Sequence, residues 1–176
     1  MWAALPFLLV VLSANPIHAD AVSPRVRPVG TRVVSLLDRG YAASSTLAAL
    51  VDALERSDVI VHIEEHWRLD RGRDGETQLV AVAGGHRYLR IHLDPRISDQ
   101  AAIALLAHEL QHAVEIADAR WVVDQKTLAQ LYMCIGFESR ARGTSLGVDT
   151  IRAHETARHV LGELKASSVR WLSPSD

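Results

Sequence analysis

Residues Ser98 to Asp118 read SDQAAIALLAHELQHAVEIAD. Ser98 and Asp99 suit a helix start, because short oxygen-bearing side chains accept from free backbone N–H groups there. The segment holds no Gly or Pro, so the helix is expected to run unbroken to about Asp118. At 100° per residue, Ile103, Leu106, Leu110, Val114 and Ala117 line one apolar stripe. His108 and His112 lie on the other side with Ala101, Ala104 and Leu105. Both faces are therefore poor in charge, which predicts a helix sandwiched between other elements.

The same stretch contains His108-Glu109-Leu110-Gln111-His112, an H-E-x-x-H pattern. Residues four apart share a helix face, so both imidazoles can address one metal ion. Neutral imidazole suits Zn2+. Glu109, beside them, can take a proton from an activated water as general base. A shuffled chain of this composition would carry the pattern about 2% of the time. The bland alternative is a pair of core histidines satisfied by hydrogen bonds.

A catalytic zinc keeps three protein ligands and one open position. Glu115 lies seven residues past His108, about 10.5 Å along the axis, which suits a supporting role better than ligation. Asp118 has the spacing of a ligand placed after a helix break, but no Gly precedes it. Asp149 is the preferred third ligand, with Glu138 and Glu155 as alternatives. Their ordinary roles would be a helix N-cap for Asp149, a loop charge for Glu138 and a helix surface charge for Glu155. A rival motif, His62-x-x-Glu65-His66, follows Val59-Ile60-Val61 in a strand-like run, where residues four apart stand about 13 Å apart. It, and the histidines at 86, 92, 154 and 159, are read as structural.

Outward from this helix, apolar residues at 47, 50, 51 and 54 predict a helix over Ser44–Arg56. Asp58–Trp67 reads as a strand. Thr77–Ala83 and His86–Leu93 read as a hairpin turning at Gly84-Gly85. Helices are expected at about Asp124–Ile135 and Thr150–Ala166, with a loop at Glu138–Gly147. The order is α+β rather than a βαβ repeat.

The 176 residues suit one domain, and a net charge of -2 argues against a broad grip on nucleic acid. No charged residue precedes Asp20. Residues 1–19 (MWAALPFLLVVLSANPIHA) are expected to be a signal peptide cut after Ala19 or Ala21. Export to the periplasm or beyond follows, with no stable membrane span after cleavage. Residues 20–40 are read as an extended lead-in and 41–172 as the single domain. The one cysteine, Cys134, is then expected to be buried, away from oxidants.

SDVIVHIE (57–64), GGHRYLRIHLDP (84–95), LLAHELQHAVEIADA (105–119) and VDTIRAHETARHVLGEL (148–164) together resemble a family of small exported bacterial proteins with a HELQHA helix. The helix itself is similar to that of zincin metallopeptidases, nearer the gluzincin type. The resemblance implies a zincin-like α+β fold, with a small mostly antiparallel sheet packed on the zinc helix and helices after it. It implies hydrolysis of a peptide or protein substrate, bound as an added strand on a sheet edge. His154, Tyr132 or an Arg would face the oxyanion. A third metzincin His and a clear gluzincin E-motif are both missing, and Gly143-Thr144…Asp149 misses the aspzincin spacing by two residues. The alternative is a non-catalytic exported zinc-binding or protein-interaction domain. Oligomeric state is not legible.

Overall fold

The computed structural model describes residues 24–69, 73–140 and 146–170, without the side chains of 138–140, 146–148, 169 and 170. The expected signal segment lies outside the described residues.

The chain begins with β1 (Val26–Pro28), α1 (Thr31–Ala43), α2 (Ser45–Glu55) and β2 (Val59–Glu65). The hairpin β3 (Gly75–Ala83) and β4 (His86–Leu93) follows, then α3 (Asp99–Asp118) and α4 (Gln125–Ile135). A second hairpin, β5 (Gly136–Arg140) and β6 (Leu146–Thr150), leads into α5 (Ile151–Arg170). This is an α+β architecture.

The lead-in expected over 20–40 is instead a strand and a helix. Its prolines and arginines mask an amphipathic helix, in which Val33, Leu36, Leu37 and Gly40 recur at helical spacing and are buried. Each large apolar side chain buried this way contributes about 1.5–3 kcal/mol, enough to order the segment. Gly40 is needed for close approach. A methyl group there would come within 2.7 Å of Leu47 and 2.9 Å of Ile103.

The sheet order is β1-β2-β4-β3. β1 and β4 both run parallel to β2, and only β3–β4 is antiparallel. The sheet is thus mixed, not mostly antiparallel. The α1–α2 connection returns the chain to lay β2 parallel to β1, and β4 inserts between β2 and its own hairpin partner. Gly84 and Gly85 have φ of 58° and 77°, the left-handed pair that a two-residue turn of this kind demands.

Leu89, Ile91 and Leu93 of β4 and Val59, Val61 and Ile63 of β2 share one core with α1, α2 and α3. α3 packs on the sheet on one side and on α5 and α2 on the other. The sandwich expected from its two uncharged faces is the observed arrangement. Arg87, only 2% exposed, anchors the far end of this helix. Its guanidinium donates to the carbonyls of Ile116, Ala117 and Ala119, which lack partners within the helix, and to both oxygens of Asp58. Those bonds from Arg87 hold the Asp58 carboxyl below its usual range.

Two local expectations fail. Much of the loop expected at Glu138–Gly147 belongs to the β5–β6 hairpin, whose polar sequence lacks the alternation that marks a strand. Cys134 is exposed rather than buried. α4 buries only Leu128 and Leu131, and its last turn stays open, with Met133 and Ile135 also exposed. Among the described residues no helix is long and apolar enough to cross a membrane.

Candidate metal centre

Position 98 starts α3 as expected, with the Ser98 hydroxyl accepting from Ala101 N. Almost three turns later the helix begins to deliver His108, Glu109 and His112 to the space between the sheet and α5. The His108 and His112 rings meet edge to face, centroids 4.9 Å apart. Their side chains are 13% and 8% exposed. Nδ1 of His112 lies 3.0 Å from Glu115 Oε2, so its N–H donates there and Nε2 is left to face the centre. Glu115 is itself held by the Thr150 hydroxyl, which donates to Oε1 at 2.8 Å. The supporting role expected for Glu115 is the one its position allows.

Asp149, at the end of β6, closes the site. Its Oδ1 is 3.2 Å from His108 Nε2 and 3.4 Å from His112 Nε2. Two ligands held about 2.0–2.1 Å from a tetrahedral ion stand about 3.3 Å apart. The donor chemistry therefore suits zinc, and both distances from Asp149 match that spacing, while His112 stands outside the group whose ligand atoms all lie within 4.8 Å of one another. Asp149 is free for this because it does not cap α5. Thr150 does, its Oγ1 accepting from Ala153 N at 3.1 Å. The two alternatives stand elsewhere. Glu155 is 52% exposed and faces Arg158 at 3.8 Å on the surface of α5. Glu138 pairs with Val148 in the β5–β6 hairpin, and its side chain lies outside the described residues.

One member of the centre is named from sequence as an oxyanion candidate but not as a partner of the metal ligands. His108, Asp149 and His154 are the group whose ligand atoms all lie within 4.8 Å of one another, the only such group among the described residues. His112 joins it through the shared Asp149 oxygen. His154 Nε2 is 2.8 Å from Asp149 Oδ2. Read from its local sequence, His154 is a structural histidine. It enters the centre because α5 starts at Ile151, two residues after Asp149, and its first turn brings His154 back to the Asp149 carboxylate.

Glu109 is buried against β3. The Thr77 hydroxyl donates to its Oε2 at 2.7 Å. Gly75 leaves room for the other oxygen, since a methyl group there would come 2.9 Å from Oε1. Burial, only partly offset by His112 and His108, raises the Glu109 pKa. A carboxylate so placed is a stronger base than one in water. Burial also opposes charge on His112 and Asp149, but their mutual bonds win. With Asp149 and Glu115 beside it, His112 is pushed up to about 9. With His108 and His112 beside it, Asp149 is held well below the usual carboxylate range. Tyr132 meets the His112 ring edge-on at 5.6 Å. Burial, then the charges of Glu115, Glu109 and Asp149, raise its pKa, so its phenol keeps its proton.

The rival motif does not converge. Glu65 pairs with Arg32, and His66 stacks on His92 with centroids 4.5 Å apart. Both follow from the strand geometry expected for this stretch. Compared with protein-family profiles, curated proteins and solved structures, the chain matches none, and the centre is read from its own chemistry.

Proposed function

We propose that this chain is a zinc-dependent hydrolase of zincin type, acting on a peptide or protein substrate after export. One observation carries the reading. A single carboxylate oxygen of Asp149 stands 3.2 and 3.4 Å from the Nε2 atoms of His108 and His112, with the Glu109 carboxylate on the same helix between them in sequence. His108, His112 and Asp149 would hold the ion. Bound there, zinc supplies Lewis-acid activation of water and polarisation of the scissile carbonyl. Glu109 accepts the proton from the attacking water on its carboxylate and returns it to the leaving amine. Tyr132, kept protonated, is a donor toward the developing oxyanion. A substrate strand has an edge to pair with on β3, the outer strand, beside the Thr77 contact to Glu109. Gln125 already occupies the Leu79 carbonyl, and Gly75–Gln78 is the stretch of β3 on the Glu109 side of that contact.

A second reading has one observation in its favour. With His154 as a fourth protein donor the tetrahedron would be closed, as in structural zinc sites, and the domain would bind zinc without catalysis.

The test is zinc per chain in the purified protein, followed by cleavage of a mixed peptide library by wild type and Glu109→Gln. We expect one zinc in both and cleavage only in wild type, with a loss of about 10²–10⁴-fold in the variant. Zinc without cleavage in either form selects the binding domain. A metal-free wild type sinks both readings.

A further inference from the structure

His154 lies outside the H-E-x-x-H motif yet inside the centre, and an imidazole there has two possible roles. It can be a fourth donor to the ion, or it can hold Asp149. Distance and exposure together favour the second. His154 Nε2 and Asp149 Oδ2 are 2.8 Å apart, the length of a hydrogen bond. Two ligands of one tetrahedral zinc would stand about 3.3 Å apart, as Oδ1 does from His108 and His112. The two oxygens of Asp149 are thus divided. Oδ1 faces the two motif histidines and accepts the Thr150 N–H at 2.7 Å, while Oδ2 faces His154. Position agrees with this division. The His154 side chain is 51% exposed, at the mouth of the centre. Its ring is fixed edge-on to His108, centroids 5.1 Å apart, and lies 5.8 Å from Phe137.

We propose that His154 is a positioning residue whose Nε2–H donates to Asp149 Oδ2. This reserves Oδ1 for the metal, keeps Asp149 monodentate, and so leaves a coordination position for water or substrate. The inference rests on the metal centre proposed above. It requires no charge on His154, since the neutral tautomer protonated at Nε2 makes the bond. Partners of this kind behind a ligating side chain typically change metal affinity 10–100-fold.

The experiment uses the full chain as wild type, His154→Ala, His154→Gln, Asp149→Ala and the double variant Asp149→Ala/His154→Ala. Zinc affinity is read by competition with a chromophoric chelator, and geometry from the visible spectrum of the cobalt-loaded proteins. We expect His154→Ala to weaken zinc binding about 10–100-fold. His154→Gln, with an amide N–H in place of the imidazole N–H, should recover most of that loss and keep the wild-type cobalt spectrum. In the Asp149→Ala background, removing His154 should cost nothing further. Unchanged affinity in His154→Ala overturns the proposal. So does a Gln variant as weak as the Ala variant with an altered cobalt spectrum, which would make His154 a ligand. A wild type that takes up no zinc fails at an earlier and distinguishable point, overturning the metal centre and this inference together.

Discussion

Among the described residues, two clusters of histidines and carboxylates stand apart, and one of them has ligand atoms close enough together for a metal ion. On the sheet, His92 stands between two acids, with Nδ1 2.9 Å from Glu76 and Nε2 3.1 Å from Glu64. His66 adds a stacked ring and no shared ligand point. On α3 and α5, three imidazole nitrogens face one carboxylate. The residue types are the same. The difference is direction. On adjacent strands the acids flank the ring from two sides, because registered neighbours lie on either side of β4. On a helix, residues four apart point the same way, and a second element can bring a carboxylate to meet them. Composition makes both clusters possible, and geometry makes only one able to hold an ion.

The contrast can be broken by substitution. The largest effect is expected at the convergence point. Asp149→Ala removes the oxygen that both motif histidines face, and zinc affinity should fall at least about 100-fold, more than the loss of a supporting partner. An affinity within a few-fold of wild type would remove Asp149 from the ligand set. Next is Glu115→Gln, which keeps the shape but weakens the bond that orients His112. Chelator competition should show a loss of about 10–100-fold with the fold intact by circular dichroism. An unchanged value would mean that His112 is oriented without its carboxylate. The smallest effect is expected on the sheet. His92→Gln should leave zinc stoichiometry and affinity untouched and cost about 1 kcal/mol in urea unfolding, the scale of one net hydrogen bond. Loss of zinc in that variant would place the metal on the wrong cluster.

Much of the site is legible in the order of residues alone. The H-E-x-x-H spacing names His108, Glu109 and His112, while Asp149 is a preference among three downstream acids, with Glu138 and Glu155, that only the packing separates. His154 is not legible in this way, because its contact joins two elements whose packing no local pattern encodes. The same holds for Thr77 and Gly75, which shape the pocket around Glu109 from a strand more than thirty residues upstream. Asp149 also illustrates a local rule overridden by its neighbour. It has the right residue type to cap α5, but Thr150 takes that role and at the same time buttresses Glu115.

The fold divides along the same line. Periodicity marks α2 and α3, Gly136 marks the end of α4, and Gly84-Gly85 marks the β3–β4 turn, because those signals are local. α1 is hidden by flanking prolines and arginines, although its apolar spacing is present. The parallel pairing of β2 with both neighbours carries no sequence mark, since it depends on where β4 inserts.

A buried helix with two histidines on one face and a glutamate beside them therefore follows from consecutive residues, because helical spacing is a local property. Which acid meets those histidines, which further histidine holds that acid, and why the sheet cluster stays apart are matters of packing. Each is a contact between elements distant in sequence, and such contacts come within hydrogen-bond reach only when the helices and the sheet close on one core.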